Sequence, residues 1–187
     1  VNSKSGNDLI IGSSYNDELN GGLGNDIIYA GDGIDVLRGA QGDDLLIGGD
    51  KSTIYEYYLG DGHDTIVDEG GRDILAFSYL DIENLSIEKD GNNMKILVEN
   101  PYKKDKIIGS ITIIDGFTSG KIEEYYFKDR AYSFDEMFKT VSANSTYYFN
   151  SGDGIVSIDD KGGVDKLIFG KGVNFKNIIV IKKENDL

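Results

Sequence analysis

Over residues 3–47 apolar and polar positions recur with a period of nine. Written in nines from Ser3, the chain reads SKSGNDLII, GSSYNDELN, GGLGNDIIY, AGDGIDVLR and GAQGDDLLI. The eighth place is always aliphatic (Ile10, Leu19, Ile28, Leu37, Leu46) and the sixth is always Asp (Asp8, Asp17, Asp26, Asp35, Asp44). A unit this short cannot bury an apolar side chain alone and does so only by stacking on its neighbours. Residues seven to nine of each unit predict a short strand whose eighth position points into a thin core, with a turn before it. Two units make one coil of 18 residues, so turns on the same side are two repeats apart.

After Gly49 the register stumbles. Lys51 stands where the fourth-position Gly belongs, Thr53 stands where Asp belongs, and two extra residues precede the next unit. The pattern resumes as LGDGHDTIV (59–67) and DEGGRDILA (68–76), with Asp64 and Asp73 in the sixth place. From residue 74 the pattern is that of ordinary strands, expected at 74–77, 85–89, 95–98, 110–114 and 122–127 between Gly-, Asn- or Lys-rich turns. Residues 133–141 predict a short helix, with Ser133 as N-cap, Glu136 three residues on, and Phe134, Met137, Phe138 and Val141 on one apolar face. These strands would cover the end of the coil, whose backbone edge would otherwise recruit other chains. A second similarity is internal: residues 57–77 are answered by 148–169 and residues 83–94 by 176–187, an interval of 92–93 residues. The expected organisation is a repeat region (1–76), a β-rich flanking module with a short helix (77–145) and the start of a second copy (146–187). In that copy Val156 replaces Asp64 and only Asp165 keeps its place, so the chemistry of the sixth-position Asp is expected to lapse there.

Charge sharpens this picture. The chain carries a formal charge of −14 and no Cys. Residues 1–73 hold 15 acidic and 4 basic side chains, a balance of −11, and 15 of the 25 Gly. A segment so acidic and glycine-rich stays unfolded unless something cancels the charge. The balance argues against nucleic acid, because nothing neutralises phosphates along a groove. The absence of Cys removes disulfides, thiolate zinc sites and Cys nucleophiles. No apolar run approaches the ~20 residues of a membrane helix. The start has neither Met nor a signal-like segment, so the chain reads as a piece of something larger.

Catalytic patterns are missing too. His63 is the single His, at the variable fifth place of its unit, and no H-E-x-x-H or G-x-S-x-G occurs. Glu123 and Glu124 are adjacent, face opposite sides of a strand, and are expected on a solvated face. The Tyr clusters are expected to pack the edges of the coil. The fragment therefore reads as a non-enzyme.

The positions themselves point to a hard cation. Gly at the first, second and fourth places lets the backbone turn with its carbonyls inward. Asp at the sixth adds a carboxylate, making an all-oxygen site. Calcium takes six to eight such ligands and tolerates irregular geometry better than magnesium.

GGLGNDIIY (21–29) matches the nonapeptide G-G-x-G-x-D-x-U-x without a mismatch, and the repeat region resembles the RTX (repeats-in-toxin) family, whose nonapeptides bind calcium. The run 111–129 also resembles the segment that follows such repeats. The resemblance implies an all-β parallel β-roll, capped by a mainly β flanking module with a short helix. It further implies ions between turns two repeats apart, held by carbonyls from the second and fourth positions of the first turn and the first and third of the later one, plus both Asp side chains. Carried over residue by residue, one site takes Lys4, Gly6 and Asp8 with Gly21, Leu23 and Asp26. A second takes Ser13, Tyr15 and Asp17 with Ala30, Asp32 and Asp35, although Tyr15 would then need a conformation usually left to Gly. A third takes Gly22, Gly24 and Asp26 with Gly39, Gln41 and Asp44, and keeps the expected Gly at both fourth positions. A fourth would use Gly31, Gly33 and Asp35 with Gly48 and Asp50, Thr53 replacing its second Asp. A fifth pairs Ala40, Gly42 and Asp44 with Leu59, Asp61 and Asp64, if the insertion leaves the stacking intact. The resemblance thus implies about three to five Ca²⁺ ions.

It also implies a secreted bacterial exoprotein, exported unfolded through a type I secretion channel and folded by extracellular calcium. The parent expected is a haemolysin- or leukotoxin-like toxin that meets a host cell surface or membrane. Alternatives are an adhesin or surface-layer stalk, or the non-catalytic tail of a secreted hydrolase.

Overall fold

A computed structural model describes residues 1–103, 106–143, 146–149 and 166–169. Each nonapeptide forms one short strand: β1 (Leu9–Ile11), β2 (Glu18–Leu23), β3 (Ile27–Tyr29), β4 (Asp35–Gln41), β5 (Leu45–Ile47), β6 (Thr53–Glu56), β7 (His63–Val67) and β8 (Ile74–Phe77). Odd strands pair in parallel as one sheet and even strands as another. The step is 18 residues where the repeats are regular, as in Leu9↔Ile27 and Glu18↔Val36. It lengthens to 20 across the insertion, as in Leu45↔Thr65 and Ile54↔Ile74. The extra residues are absorbed locally. Tyr57 buries its ring and donates its hydroxyl to Gly62 O at 2.8 Å, while the Tyr58 N–H donates to Asp61 Oδ2 at 2.9 Å.

The two sheets close over one line of eighth-position side chains. Ile10, Leu19, Ile28, Leu37, Leu46, Ile66 and Leu75 are all buried. Tyr55 holds the same place in β6 and is fully buried. A buried phenol needs a hydrogen-bond partner, and Tyr55 donates to Asp68 Oδ2 at 2.6 Å.

The flank continues both sheets. β9 (Leu85–Asp90), β10 (Asn93–Glu99) and β11 (Ile107–Ile113) extend the odd sheet, with β11 parallel to β7. β12 (Glu124–Phe127) and β13 (Ala131–Ser133) extend the even sheet, with β12 parallel to β8. The last coil is thus covered on both sides, and the unpaired edge moves to β9 and β13. The strand expected at 122–127 starts at Glu124, and that expected at 110–114 starts earlier, at Ile107.

Helix α1 (Phe134–Ala143) begins with a reciprocal cap: the Ser133 N–H donates to Glu136 Oε2 at 2.9 Å and the Glu136 N–H to Ser133 Oγ at 3.3 Å. Met137 and Val141 are buried, but Phe138 stays exposed beside Phe117 and Phe134. Replacing Ser133 by Ala should cost about 1 kcal/mol, read by urea unfolding in calcium. The calcium requirement of the repeats should not change.

Residues 1–142 form one compact unit and 143–187 another. In the second, β14 (Thr146–Phe149) and β15 (Lys166–Phe169) pair in parallel with Thr146↔Lys166, the register of Ile54↔Ile74 displaced by 92 residues. The rest of the expected second copy, Val156 and Asp165 included, lies outside the described residues.

Candidate metal centre

The turns before the odd strands stack on one side of the roll and those before the even strands on the other. Within each stack a sixth-position side chain supports the turn two repeats earlier. The N–H groups of Asp8, Asp26 and Asp44 donate to Oδ1 of Asp26, Asp44 and Asp64 at 2.7, 2.7 and 3.1 Å. On the other side the Asp17 N–H donates to Asp35 Oδ1 at 2.8 Å, and the Thr53 N–H to Asp73 Oδ1 at 2.8 Å. One oxygen of each carboxylate is therefore a structural strut. Across the insertion the ladder continues from Asp44 to Asp64 and from Thr53 to Asp73, but the Asp35 N–H meets Ser52 O at 3.3 Å, because Thr53 replaces the Asp of that rung.

The other oxygen differs from rung to rung. Asp8 Oδ2 accepts the Ser3 hydroxyl, and Asp17 Oδ2 accepts the Ser13 N–H and hydroxyl at 2.7 and 2.8 Å. Those Ser13 bonds, the backbone one first, hold the Asp17 carboxyl below its usual range. By contrast, Oδ2 of Asp26, Asp35, Asp44 and Asp73 is buried without any donor. These four side chains are at most 2% exposed. A buried carboxylate oxygen left bare costs far more than a paired one. Burial accordingly pushes Asp35 up, and Asp44 up to about 6, Asp64 to about 8 and Asp73 to about 7.

Backbone carbonyls of one turn face the glycines of the turn stacked on it, and at Gly21 both Asp26 Oδ2 and Gly39 O lie where a Cβ would stand. A Cβ on Gly24 would collide with Gly6 O, one on Gly42 with Gly24 O and one on Gly62 with Gly42 O. Second-position carbonyls take the same place at Lys4 against Gly22 and Ser13 against Gly31. First-position carbonyls face back, Ala30 O toward Gly12 and Gly39 O toward Gly21. Third-position carbonyls of Leu23, Gln41 and Asp61 accept the N–H groups of Gly6, Gly24 and Gly42 at 2.8, 2.8 and 2.7 Å. Each retains a second lone pair. Gly24 and Gly42 combine the collision with positive φ (116° and 154°), so a side chain there meets both obstacles.

The third expected set, around Asp26 and Asp44, is where two bare oxygens come from consecutive turns of one stack. In the second set Tyr15 does not adopt positive φ. The non-glycine residues that do, among those described, are Lys4 (45°), Ala40 (72°) and Asp115 (52°). The turn closes instead through Ser13, and the Tyr15 ring is exposed. In the fourth, Asp50 is exposed and paired with Lys51 at 3.4 Å, and the Asp35 N–H reaches Ser52 O at 3.3 Å. In the fifth, Arg38 pairs with the Asp61 carboxylate at 3.4 Å and lies over the Tyr58 ring at 3.9 Å. Among the described residues no three His, Cys, Asp or Glu side chains form a metal cage by themselves. Any ion held here needs the carbonyls. Bare buried carboxylate oxygens among carbonyls fit a hard cation such as calcium.

Two features escaped the sequence pattern. Asp68 replaces Gly at the first position of the last turn, and Glu123 lies beside Asp73, whose N–H donates to its Oε2 at 2.9 Å. Glu123 is therefore not on a solvated strand face, a correction to the expectation above. His63 sits at the start of β7 with Nδ1 3.0 Å from Ser110 Oγ.

Two parallel sheets joined by stacked turns of carbonyls and bare carboxylates define a β-roll with cation-binding turns. The family model of the RTX calcium-binding nonapeptide repeat matches residues 3–37, 29–50 and 58–76. The matched residues are calcium-binding RTX repeats. A solved structure, the AlgE6R3 subunit of the mannuronan C5-epimerase of Azotobacter vinelandii, is 24% identical, covering 59% of this chain and 74% of that one, with a TM-score of 0.29. No helix among the described residues is long and apolar enough to cross a membrane.

Proposed function

We propose that this module is a calcium-triggered folding device of a bacterial protein exported through a type I secretion channel. The single observation that supports it most is the row of bare, buried oxygens on Asp26, Asp35, Asp44 and Asp73. At neutral pH Asp35, Asp44 and Asp73, whose carboxyls burial pushes up, oppose the fold that buries them. Where calcium is scarce, the −11 segment repels itself and remains a chain that a narrow channel can pass. Bound calcium supplies the positive charge and accepts the bare oxygen pairs. Extracellular modules of this kind bind at about 10⁻⁴–10⁻³ M. Binding to the folded state alone adds about 2.7 kcal/mol per site at ~100-fold saturation.

The ligand sets are those laid out from the repeats. Asp26 and Asp44, with the carbonyls of Gly22, Gly24, Gly39 and Gln41, form the strongest, and three to five ions fill the ladder. Residues 1–76 bind, and residues 77–145 cap the roll. The parent protein is a secreted toxin of the haemolysin or leukotoxin kind, a reading that rests on the RTX repeats and on the partial second copy at 92 residues.

Far-UV circular dichroism in EGTA, followed by titration with calcium to 10 mM and with magnesium in parallel, tests the device. The expected result is a cooperative gain of β signal with calcium alone. A spectrum already folded in EGTA and indifferent to calcium would remove the trigger.

A further inference from the structure

The ladder of sixth-position carboxylates does not end with the last repeat. The register Glu124↔Ile74 carries β12 along β8, so that Glu123 stands beside Asp73. Its Oε2 accepts the Asp73 N–H at 2.9 Å, the relation that Asp44 bears to Asp26 at 2.7 Å. Glu123 is thus the next rung, supplied from outside the repeats and longer by one methylene.

The turn 68–73 is unusual in a second way. Its first position is Asp68 where Gly12, Gly21, Gly39 and Gly48 stand in other turns. The Asp68 carboxyl accepts the Tyr55 hydroxyl at 2.6 Å and the Gly70 N–H at 2.9 Å. Asp73 is 1% exposed, and its Oδ2 has no donor. Arg72, its neighbour in sequence, turns away to pair with Glu124. Lys121, two residues before Glu123, lies over the Phe134 ring at 4.4 Å.

We propose that this turn is a calcium site outside the nonapeptide pattern, formed by Asp68 and Asp73 of the last repeat and Glu123 of the flanking module. The proposal rests on reading the repeats as calcium sites. A bare buried carboxylate oxygen on Asp73, with the Glu123 carboxylate on the Asp73 N–H and the Asp68 carboxylate at the start of the same turn, is the ligand chemistry of a hard divalent cation. They do not close a cage alone, and carbonyls of the turn provide the remaining oxygens, as in the repeats. The consequence is mechanical: the ion clamps the flanking module to the roll, so capping is itself calcium-dependent. Nonapeptide matching passes over the site, because one acid replaces a Gly and another lies fifty residues downstream.

Calcium bound per chain is to be counted by equilibrium dialysis at the concentration that just saturates the unaltered full chain. The same count is made on Glu123→Gln and Asp68→Asn, with circular dichroism on the same samples. Each variant should keep the calcium-induced β signal and bind one ion fewer. An unchanged count in both overturns the proposal and leaves Asp68 and Asp73 as a pair sharing a proton. If the unaltered chain binds no calcium, the reading of the repeats falls and the proposal with it. If Glu123→Gln fails to fold, Asp68→Asn decides by the same count.

Discussion

Held in EGTA, the repeat region should gain structure on acidification, its β signal by circular dichroism rising as the pH is lowered from 7.5 to about 4.5. The direction follows from the buried carboxyls. Burial holds Asp44 up at about 6, Asp73 at about 7 and Asp64 at about 8. In the unfolded chain the same groups titrate near ~3.9. Between those limits the folded chain binds protons that the unfolded chain has released, so stability falls as pH rises. The destabilisation is absent below about pH 4, grows through the window and is complete above about pH 8. Asp17, held below its usual range by Ser13, acts in the opposite sense only at lower pH, which sets the lower limit of the scan. A general relief of surface repulsion would be screened by salt, whereas buried carboxyls are screened much less. The effect should therefore survive in about 0.5 M salt, where the Debye length has fallen to a few Å. Saturating calcium should reverse the order, because ligand carboxyls must lose their protons to bind. An equal β signal at both pH values in EGTA would mean that these carboxyls do not oppose the apo fold.

The roll was legible because its period is physical. Asp at every sixth place and an aliphatic at every eighth specify a turn and a strand that stack only at a two-repeat step, and Leu9↔Ile27 shows that step. The helix cap was equally local, since Ser133 and Glu136 lie three residues apart. What stayed hidden depends on partners that sequence spacing does not bring together. Glu123 becomes a rung only because β12 adds to β8. Tyr55 reads as part of a Tyr cluster at the coil's edge, whereas the structure buries it in the core with its hydroxyl on Asp68. The insertion could have shifted the stack, but the Tyr57 ring and the Asp61 carboxylate take up the two extra residues within the turn. At the candidate sites, the spacing marked which carboxylates would line up. It did not reveal that Ser3 and Ser13 occupy the free oxygens of Asp8 and Asp17. That depends on side-chain rotamers, and it divides the ladder into satisfied and bare rungs.

The same division makes Asp44→Asn the substitution with the largest expected effect on calcium, with opposite consequences in its presence and absence. Asp44 Oδ1 accepts the Asp26 N–H at 2.7 Å, and the Asp44 N–H donates to Asp64 Oδ1 at 3.1 Å. An amide can retain that acceptor and that donor, so the strut survives. It changes only the bare oxygen, into a neutral group. In EGTA at pH 7.5 the loss of a buried charge should leave the β signal unchanged or raise it, because burial disfavours the ionised form. In calcium the result should invert, since Asp44 serves two proposed sites, one with Asp26 and one with Asp64. Both lose a charged ligand, and the calcium midpoint of the circular dichroism titration should rise at least ~10-fold, or about 1.4 kcal/mol. Asp8→Asn is the matched control, because its second oxygen already accepts the Ser3 hydroxyl. Its midpoint should move by less than ~3-fold, under about 0.7 kcal/mol on the same scale. If both variants shifted the midpoint equally, bare oxygens would not be what calcium reads. If Asp44→Asn instead weakened the fold equally with and without calcium, the side chain would be a turn strut and nothing more.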